Sequence, residues 1–503
     1  MPNKLEKFIF LALIFSIPFQ KRTFLFGPAR EGENFFEWGS GFIYFTDFLI
    51  AALAIFAAIR FFRIPGQLLK PPPTTVGGGF SLILPLLFLL AFSFISLTQA
   101  DLVNVGVYRF SKLAEFIFLF FYAAGRIGHI GLTTTLWTFI ASGVFQSVIA
   151  ILQFAKQSSL GLDIFHESTL AIHMPGVAHI AADGLFLIRA YGTFPSPNVL
   201  AGFLGLCLLF LFYLFVVGGR IGREKGNQFC SAQGGDPFNP PIIKANDSPL
   251  KSQNWFPFSR LPVYTVSIFL LTFALILTFS RGTIIFFILV SALFFAGMFL
   301  LKELRDYKET AVKLALLVIG CWLSVVVIAW PEVSSRFLGS SYDEPAIQER
   351  FFFNKVGIES VREDPMRALF GVGIGNFVHN FRQIEPGLPE YLYQPAHNIF
   401  ILIASETGTL GFFAFVFFVA LLLERLIRVF WTYFSFHVYI QNLDDRPSFV
   451  YGYVLLCSLF FILLIAMYDH YFWTLQQGAL MFWIVLGIAA KNSRFSAQEH
   501  SKK

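Results

Sequence analysis

Apolar windows of about 18 or more residues, each long enough to cross a hydrocarbon core of ~30 Å, recur from one end of this 503-residue chain to the other. They fall near residues 7–19 (a short one), 41–62, 79–98, 107–125, 131–155, 197–218, 263–280, 282–301, 314–331, 397–423, 449–468 and 470–490. Only 14% of the residues are charged, against the ~25% usual in soluble proteins, which excludes an ordinary soluble fold. Stretches such as LLFLLAFSFISL have no period of two and outrun a barrel strand, which leaves helices as the spanning element. The pattern predicts an all-α integral membrane protein of about 12 transmembrane helices. The first window, FIFLALIFSIPF behind Lys4 and Lys7, has the outline of a signal peptide, but no small-x-small cleavage pattern follows, and it is read as an anchor.

Lysine and arginine set the expected orientation. With a cytoplasmic N-terminus, the inside loops collect Arg60, Arg63, Lys70, the 219–262 connector, KELRDYKETAVK and the tail KNSRFSAQEHSKK, so both termini are placed in the cytoplasm. The net charge of +6 is accounted for by this topology and by contact with anionic lipid of the bilayer. No basic stripe interleaved with aromatics points to nucleic acid. The four cysteines, Cys207, Cys230, Cys321 and Cys457, give neither a disulfide framework nor a metal-ligand spacing, so no metal is expected.

The chain divides into N-terminal helices (1–155), an external loop (156–196) and a block of helices (197–331) interrupted by a flexible cytoplasmic connector at 219–262. A large, partly helical external loop (332–396), C-terminal helices (397–490) and a cytoplasmic tail (491–503) follow. Within the large loop, Phe352, Val356, Ile358 and Val361 recur at helical spacing between charges. An amphipathic helix over Glu349–Glu363 is therefore expected to lie on the membrane face.

Sorted by depth, Arg189, Arg281 and His397 all fall at the outer boundary, each beside a span. Arg281, in LTFSRGTIIFF, separates two apolar runs with only Ser280 and Gly282 for company. Such a charge costs several kcal/mol unless it meets a polar cavity, an anion or the lipid headgroups. Arg189 opens RAYGTFPSPNVL, whose Gly192, Pro195 and Pro197 break regular structure just before a helix beginning at Asn198 and Val199. A helix start offers free N–H groups to an anion and an arginine adds a bidentate phosphate donor; the alternative is a loop arginine paired to Asp183 or Glu167.

His397 stands with Asn398 in AHN at the mouth of a span. The first turn of a helix disfavours imidazolium, and a neutral imidazole suits a general base; the other reading is an interfacial histidine bonded to a loop carbonyl. Glu406, nine residues on, lies half a turn round from it. It is assigned to interhelical packing with Gly408 and Gly411. His379 in NFVHNF is a second candidate, ranked below His397 because it does not enter a span, and Asp469 and His470 reach the same face between the last two spans. Asp47 and Glu115 lie within spans.

Two arginines and a base within reach of lipid suit a diphosphate leaving group. Many soluble transferases neutralise that charge with a divalent ion on an Asp-x-Asp pair, which the outer loops lack; fixed guanidiniums supply the same stabilisation. RAYGTFPSPNVLAGFL, LTFSRGTIIF, LFGVGIGNF and AHNIFILIASETGTLGF resemble the conserved segments of the O-antigen ligase and polymerase superfamily (WaaL and Wzy types), over Arg189 to Gly411.

The resemblance implies a GT-C-like, cofactor-free and metal-independent glycosyltransferase of the bacterial cytoplasmic (inner) membrane. It would use an undecaprenyl diphosphate-linked glycan donor and a lipid or glycan acceptor, with inversion. Carried over, Arg189 and Arg281 grip the diphosphate and His397 deprotonates the acceptor hydroxyl, supported by Asn198, Ser280 and Asn398. Gly371, Gly373 and Gly375 shape the outer loop against the donor. Ligase is favoured over polymerase, and protein glycosylation shares the same residues. A flippase or other transporter is the competitor from another class, and it would need charges lining a midplane cavity.

Overall fold

The apolar windows fold as helices in a computed structural model, which describes residues 4–27, 37–63, 82–182, 185–233, 261–338, 344–362, 364–435 and 446–500. The first half supplies α1 (Lys4–Ser16), α2 (Phe45–Arg63), α3 (Ile83–Ser96), α4 (Val103–Ile130), α5 (Leu132–Lys156) and α6 (Pro197–Gln233). Next come α7 (Leu261–Leu277), α8 (Arg281–Leu300) and α9 (Lys308–Ile328). A group of short helices follows: α10 (Trp330–Leu338), α11 (Glu344–Glu359), α12 (Pro365–Phe370) and α13 (Phe377–Ile384). The chain then returns through α14 (Ile399–Ser435), α15 (Arg446–Ala466), the single turn α16 (Tyr471–Thr474) and α17 (Gln476–His500). Eight of these helices are long and apolar enough to cross a membrane. The protein is an all-α, multi-pass membrane protein.

Position in the bundle follows the distribution of apolar residues. A helix that is hydrophobic all round belongs in the centre: α6 is buried from Val199 to Val217, and α17 from Gln476 to Ala490. At the periphery, only 17% of the α2 window and 28% of the α9 window is buried, so these apolar flanks face lipid. Glu6 on α1, 1% exposed, accepts from Arg60 on α2 (2.6 Å) and from Tyr122 (2.7 Å) and Arg126 (3.2 Å) on α4. Removing one partner of such a buried set strands the others, so it ties three helices at one end of the bundle.

The opposite end carries the loops that matter for function. Two hairpins were not expected there. β1 (Arg22–Phe26) pairs antiparallel with β2 (Gly41–Tyr44), and β3 (His179–Ala182) with β4 (Leu185–Ile188). The window predicted at 41–62 therefore starts as strand and becomes helix only at Phe45. Other boundaries also moved. α6 continues to Gln233, into the stretch expected to be a flexible connector, and residues 234–260 lie outside the described residues. α17 runs through the predicted tail to His500, and its start shifts from 470 to Gln476 because α16 intervenes.

The predicted loop helix exists as α11, but with two apolar faces. Phe353 and Val356 are 1% exposed and join Phe377, Phe381, Tyr393 and Leu402 in a small core of the loop's own. Ile347, Phe351 and Ile358, spaced by four and seven residues, are exposed on another side. The seam facing protein is thus centred on Phe353, not on the predicted Phe352 and Ile358.

α14 is broken at Gly408, whose φ of 70° and ψ of −176° lie outside helical space. Immediately before the break, the Ser405 carbonyl accepts from Val372 N–H (2.8 Å) and Glu406 accepts from Trp473 Nε1 (2.8 Å). Glu406 thus pins the loop and α16, a role beyond the interhelical packing expected of it. Gly371, Gly373 and Gly375 all have positive φ (75°, 95° and 77°). They thread the chain between the Glu406–Thr407 backbone, Ala100 and Arg109. The run is fitted against protein on these sides.

Candidate functional site

The turn joining α7 to α8 is stitched to the segment entering α6. Phe279, with φ 48°, is a bulky residue in the left-handed region, a strain of ~1–3 kcal/mol; its fully buried ring, 5.8 Å from that of Phe154, holds it there. The turn points the Thr278 carbonyl at Arg189, which donates from Nε at 2.6 Å, while Ala190 N–H donates to the Leu277 carbonyl at 3.0 Å. Arg281, the first residue of α8, follows directly. The two predicted arginines therefore sit on adjoining segments. Glu167, the alternative partner for Arg189, accepts instead from Gln153 and from the N–H groups of Leu160 and Leu162; Asp183 lies outside the described residues.

Asn198 is the junction. Ser196 caps its helix by accepting from Asn198 N–H (3.2 Å). The Asn198 Oδ1 accepts from Arg189 (2.9 Å) and from the Ser280 hydroxyl (2.9 Å), and its Nδ2 donates to Asp469 (3.1 Å). One amide thus joins the entries of α6 and α8 to the turn after α15. Asp469 also accepts from His470 N–H at 2.8 Å.

His397 is brought to this turn by α14, whose first N–H groups, those of Phe400 and Ile401, are capped by Asn398 Oδ1 at 2.9 and 3.3 Å. Its ring stacks on Phe353 (5.4 Å) and stands edge-on to His470 (5.0 Å). The Nδ1 is 3.1 Å from the Pro395 carbonyl. A carbonyl only accepts, so Nδ1 carries the proton and Nε2 keeps its lone pair. The Asn198 junction links Arg189 and the turn that precedes Arg281 to Asp469, whose neighbour His470 stands edge-on to His397. His379 does not join them; it contacts Gln383 and Asp101.

Sequence reasoning missed Arg350. Its guanidinium lies 4.0 Å over the Tyr468 ring and donates to the Tyr468 carbonyl (3.3 Å), while Tyr468 packs so closely on Gly282 that a Cβ there would sit 2.4 Å from its ring. A third arginine from the large loop therefore neighbours the start of α8. Its charge acts on His397, Asp469 and His470. No sequence signal separates it from the other loop arginines.

Burial first, then the adjacent His470 and Arg350, push His397 down to about 3, with Asp469 opposing. Burial also lowers His470, Asp469 again opposing. For Asp469, burial alone would raise the carboxyl, but the two histidines, Arg350 and the His470 N–H outweigh it and hold it below the usual range. The site at neutral pH is an ionised carboxylate beside two neutral imidazoles. One donor atom each from His397, Asp469 and His470 lies within 4.8 Å of the others, a grouping with room to share a divalent ion that no sequence spacing announced.

Residues 266–416 match the family described as O-Antigen ligase. The match contains Arg281, Arg350, the glycine run and His397, while Arg189, Asn198, Asp469 and His470 fall outside it. No curated protein matches the chain significantly.

Proposed function

We propose that this chain, which carries an O-antigen ligase domain, moves a glycan from a polyprenyl (undecaprenyl) diphosphate carrier to an acceptor hydroxyl. The transfer takes place at the outer face of the bacterial inner membrane, with both termini in the cytoplasm. The observation that carries this reading is the Asn198 junction, which sets Arg189 and the start of α8 beside Asp469 and the paired imidazoles. In the reaction, His397 Nε2 takes the proton of the acceptor hydroxyl as its oxygen bonds to the anomeric carbon. The bond from that carbon to the diphosphate breaks, and the diphosphate leaves with the electron pair. Arg189, Arg281 and Arg350 stabilise the charge that develops on it. A single displacement inverts the anomeric centre and needs no metal.

The test is transfer by the purified protein in lipid vesicles supplied with a diphosphate-linked oligosaccharide and candidate acceptors, in EDTA, with Arg281→Ala in parallel. Product on a different lipid, insensitive to chelator and reduced by about 10²-fold or more in the variant, is the expected result. Lengthened chains on the carrier would instead identify a polymerase. Dependence on a divalent ion would overturn the metal-free mechanism, and sugar movement without a new glycosidic bond would make the protein a transporter.

The depressed His397 has a kinetic signature. A base must be unprotonated, so kcat/KM falls as pH drops through the free enzyme's value. The acid limb is therefore expected well below pH 6.5. Arg350 helps to lower His397, so Arg350→Ala should move the limb upward, towards neutrality. An unmoved limb in that variant would exclude Arg350 as a neighbour of the base.

A further inference from the structure

A cavity of about 40 Å³ is walled in part by Thr474 and Pro395, the residues that hold the imidazole pair. Trp38, Tyr44, Tyr108 and Trp473 supply aromatic walls, and Arg109 and Lys112 supply cations. These cations are already committed. Lys112 is bound by Asp47 and by Glu115 (3.1 Å), and Arg109 donates to the Thr474 carbonyl at 2.7 Å. Gln476 adds an amide that donates to Asp47 (2.6 Å) and Thr46 (3.1 Å). The cavity's own carboxylate is Glu406, while Asp47 and Glu115 stand behind Lys112, so its cations are offset by acidic groups. Such a lining suits an uncharged polyol: aromatic faces for the C–H surface of a sugar ring and convergent donors and acceptors for its hydroxyls. A phosphate would find no surplus of positive charge.

The cavity is joined to the base through its own wall. Thr474 lines it and holds His470 Nδ1 at 2.7 Å; Trp38 lines it and stands edge-on to His470 at 5.6 Å. Pro395, whose carbonyl fixes His397, lines it too. Its interior has room for a few hydroxyl-sized groups, one edge of a pyranose and not an oligosaccharide.

We propose that this cavity seats the terminal neutral sugar of the acceptor and presents its hydroxyl to His397 across the shared wall of Pro395 and Thr474. The inference rests on the transferase reading above, but its test needs no turnover. Full-length protein in lipid nanodiscs is titrated with neutral monosaccharides (glucose, galactose, N-acetylglucosamine) by saturation-transfer NMR, and separately with inorganic pyrophosphate. Sugar binding should weaken at least tenfold in Trp38→Ala and in Gln476→Ala, with pyrophosphate binding unchanged; Arg281→Ala should do the reverse. Trp38→Phe, which keeps an aromatic face and guards against misfolding, should retain most of the sugar binding. Sugar binding untouched by both cavity variants, absent from the intact protein, or replaced there by pyrophosphate would overturn the proposal. Sugar binding that follows these variants while His397→Ala keeps full transfer would preserve the cavity and discard the assigned base.

Discussion

Turnover is expected to fall by about 10²–10⁴-fold in His397→Ala, the range a positioned base contributes, while donor binding stays within a few-fold of the parent. The split follows from geometry. His397 reaches the site from the head of α14, packed between Phe353 and His470, whereas the groups assigned to the donor come from the segment entering α6, from α8 and from α11. Removing the ring deletes the proton acceptor and leaves the Asn198 junction whole. His470→Ala should cost less, because on the proposed mechanism His470 acts only through its edge-on contact with His397 and is not the proton acceptor. Steady-state transfer rates and pyrophosphate binding, measured side by side, decide the matter. Transfer within tenfold of the parent in His397→Ala would sink the assignment, and a greater loss in His470→Ala would exchange the two roles.

The largest effect on folding is expected at Gly408. Its backbone sits where residues with a side chain are rarely found, and a Cβ there would lie 2.1 Å from the Leu369 carbonyl oxygen and 2.3 Å from Phe370 N. Both obstacles are backbone, held by α12, so neither can swing away. Gly408→Ala should cost about 3 kcal/mol or more, combining strain with the forced displacement of α12. The loss would reach the site, because Ser405 and Glu406 stand just before the break. Gly320→Ala on α9 is the control, since nothing lies within 4 Å of the added methyl. Thermal unfolding in detergent should separate the two variants clearly; equal midpoints would show that the break is not required.

The bundle was legible because each span is an apolar run bounded by polar residues, and a membrane leaves only one backbone solution for such a run. Arg189, Arg281 and His397 were legible for the complementary reason: a charge or imidazole beside a span is costly enough to be noticed alone. The link from Arg189 to Asp469 runs through Asn198, whose side chain looks in sequence like that of any residue at a helix start. Arg350 was hidden because its partner Tyr468 is over a hundred residues away. Asp47 and Glu115 were visible as charges within spans, yet Lys112, which joins them, was not. The aromatic cavity was equally silent, since Trp38 and Trp473 resemble ordinary interfacial residues. The hairpins escaped because β2 continues directly into α2, and hydropathy does not distinguish the two.

The bond from His397 to Pro395 bears on timing. With one ring nitrogen fixed to a carbonyl, proton uptake and proton discharge share a single exit on the proposed mechanism, Nε2. A newly made glycan seated over that nitrogen would keep it from being emptied. On the proposed mechanism, resetting the enzyme would then wait for the product to depart, and the expected order is bond formation, glycan release, and only afterwards loss of the proton to water.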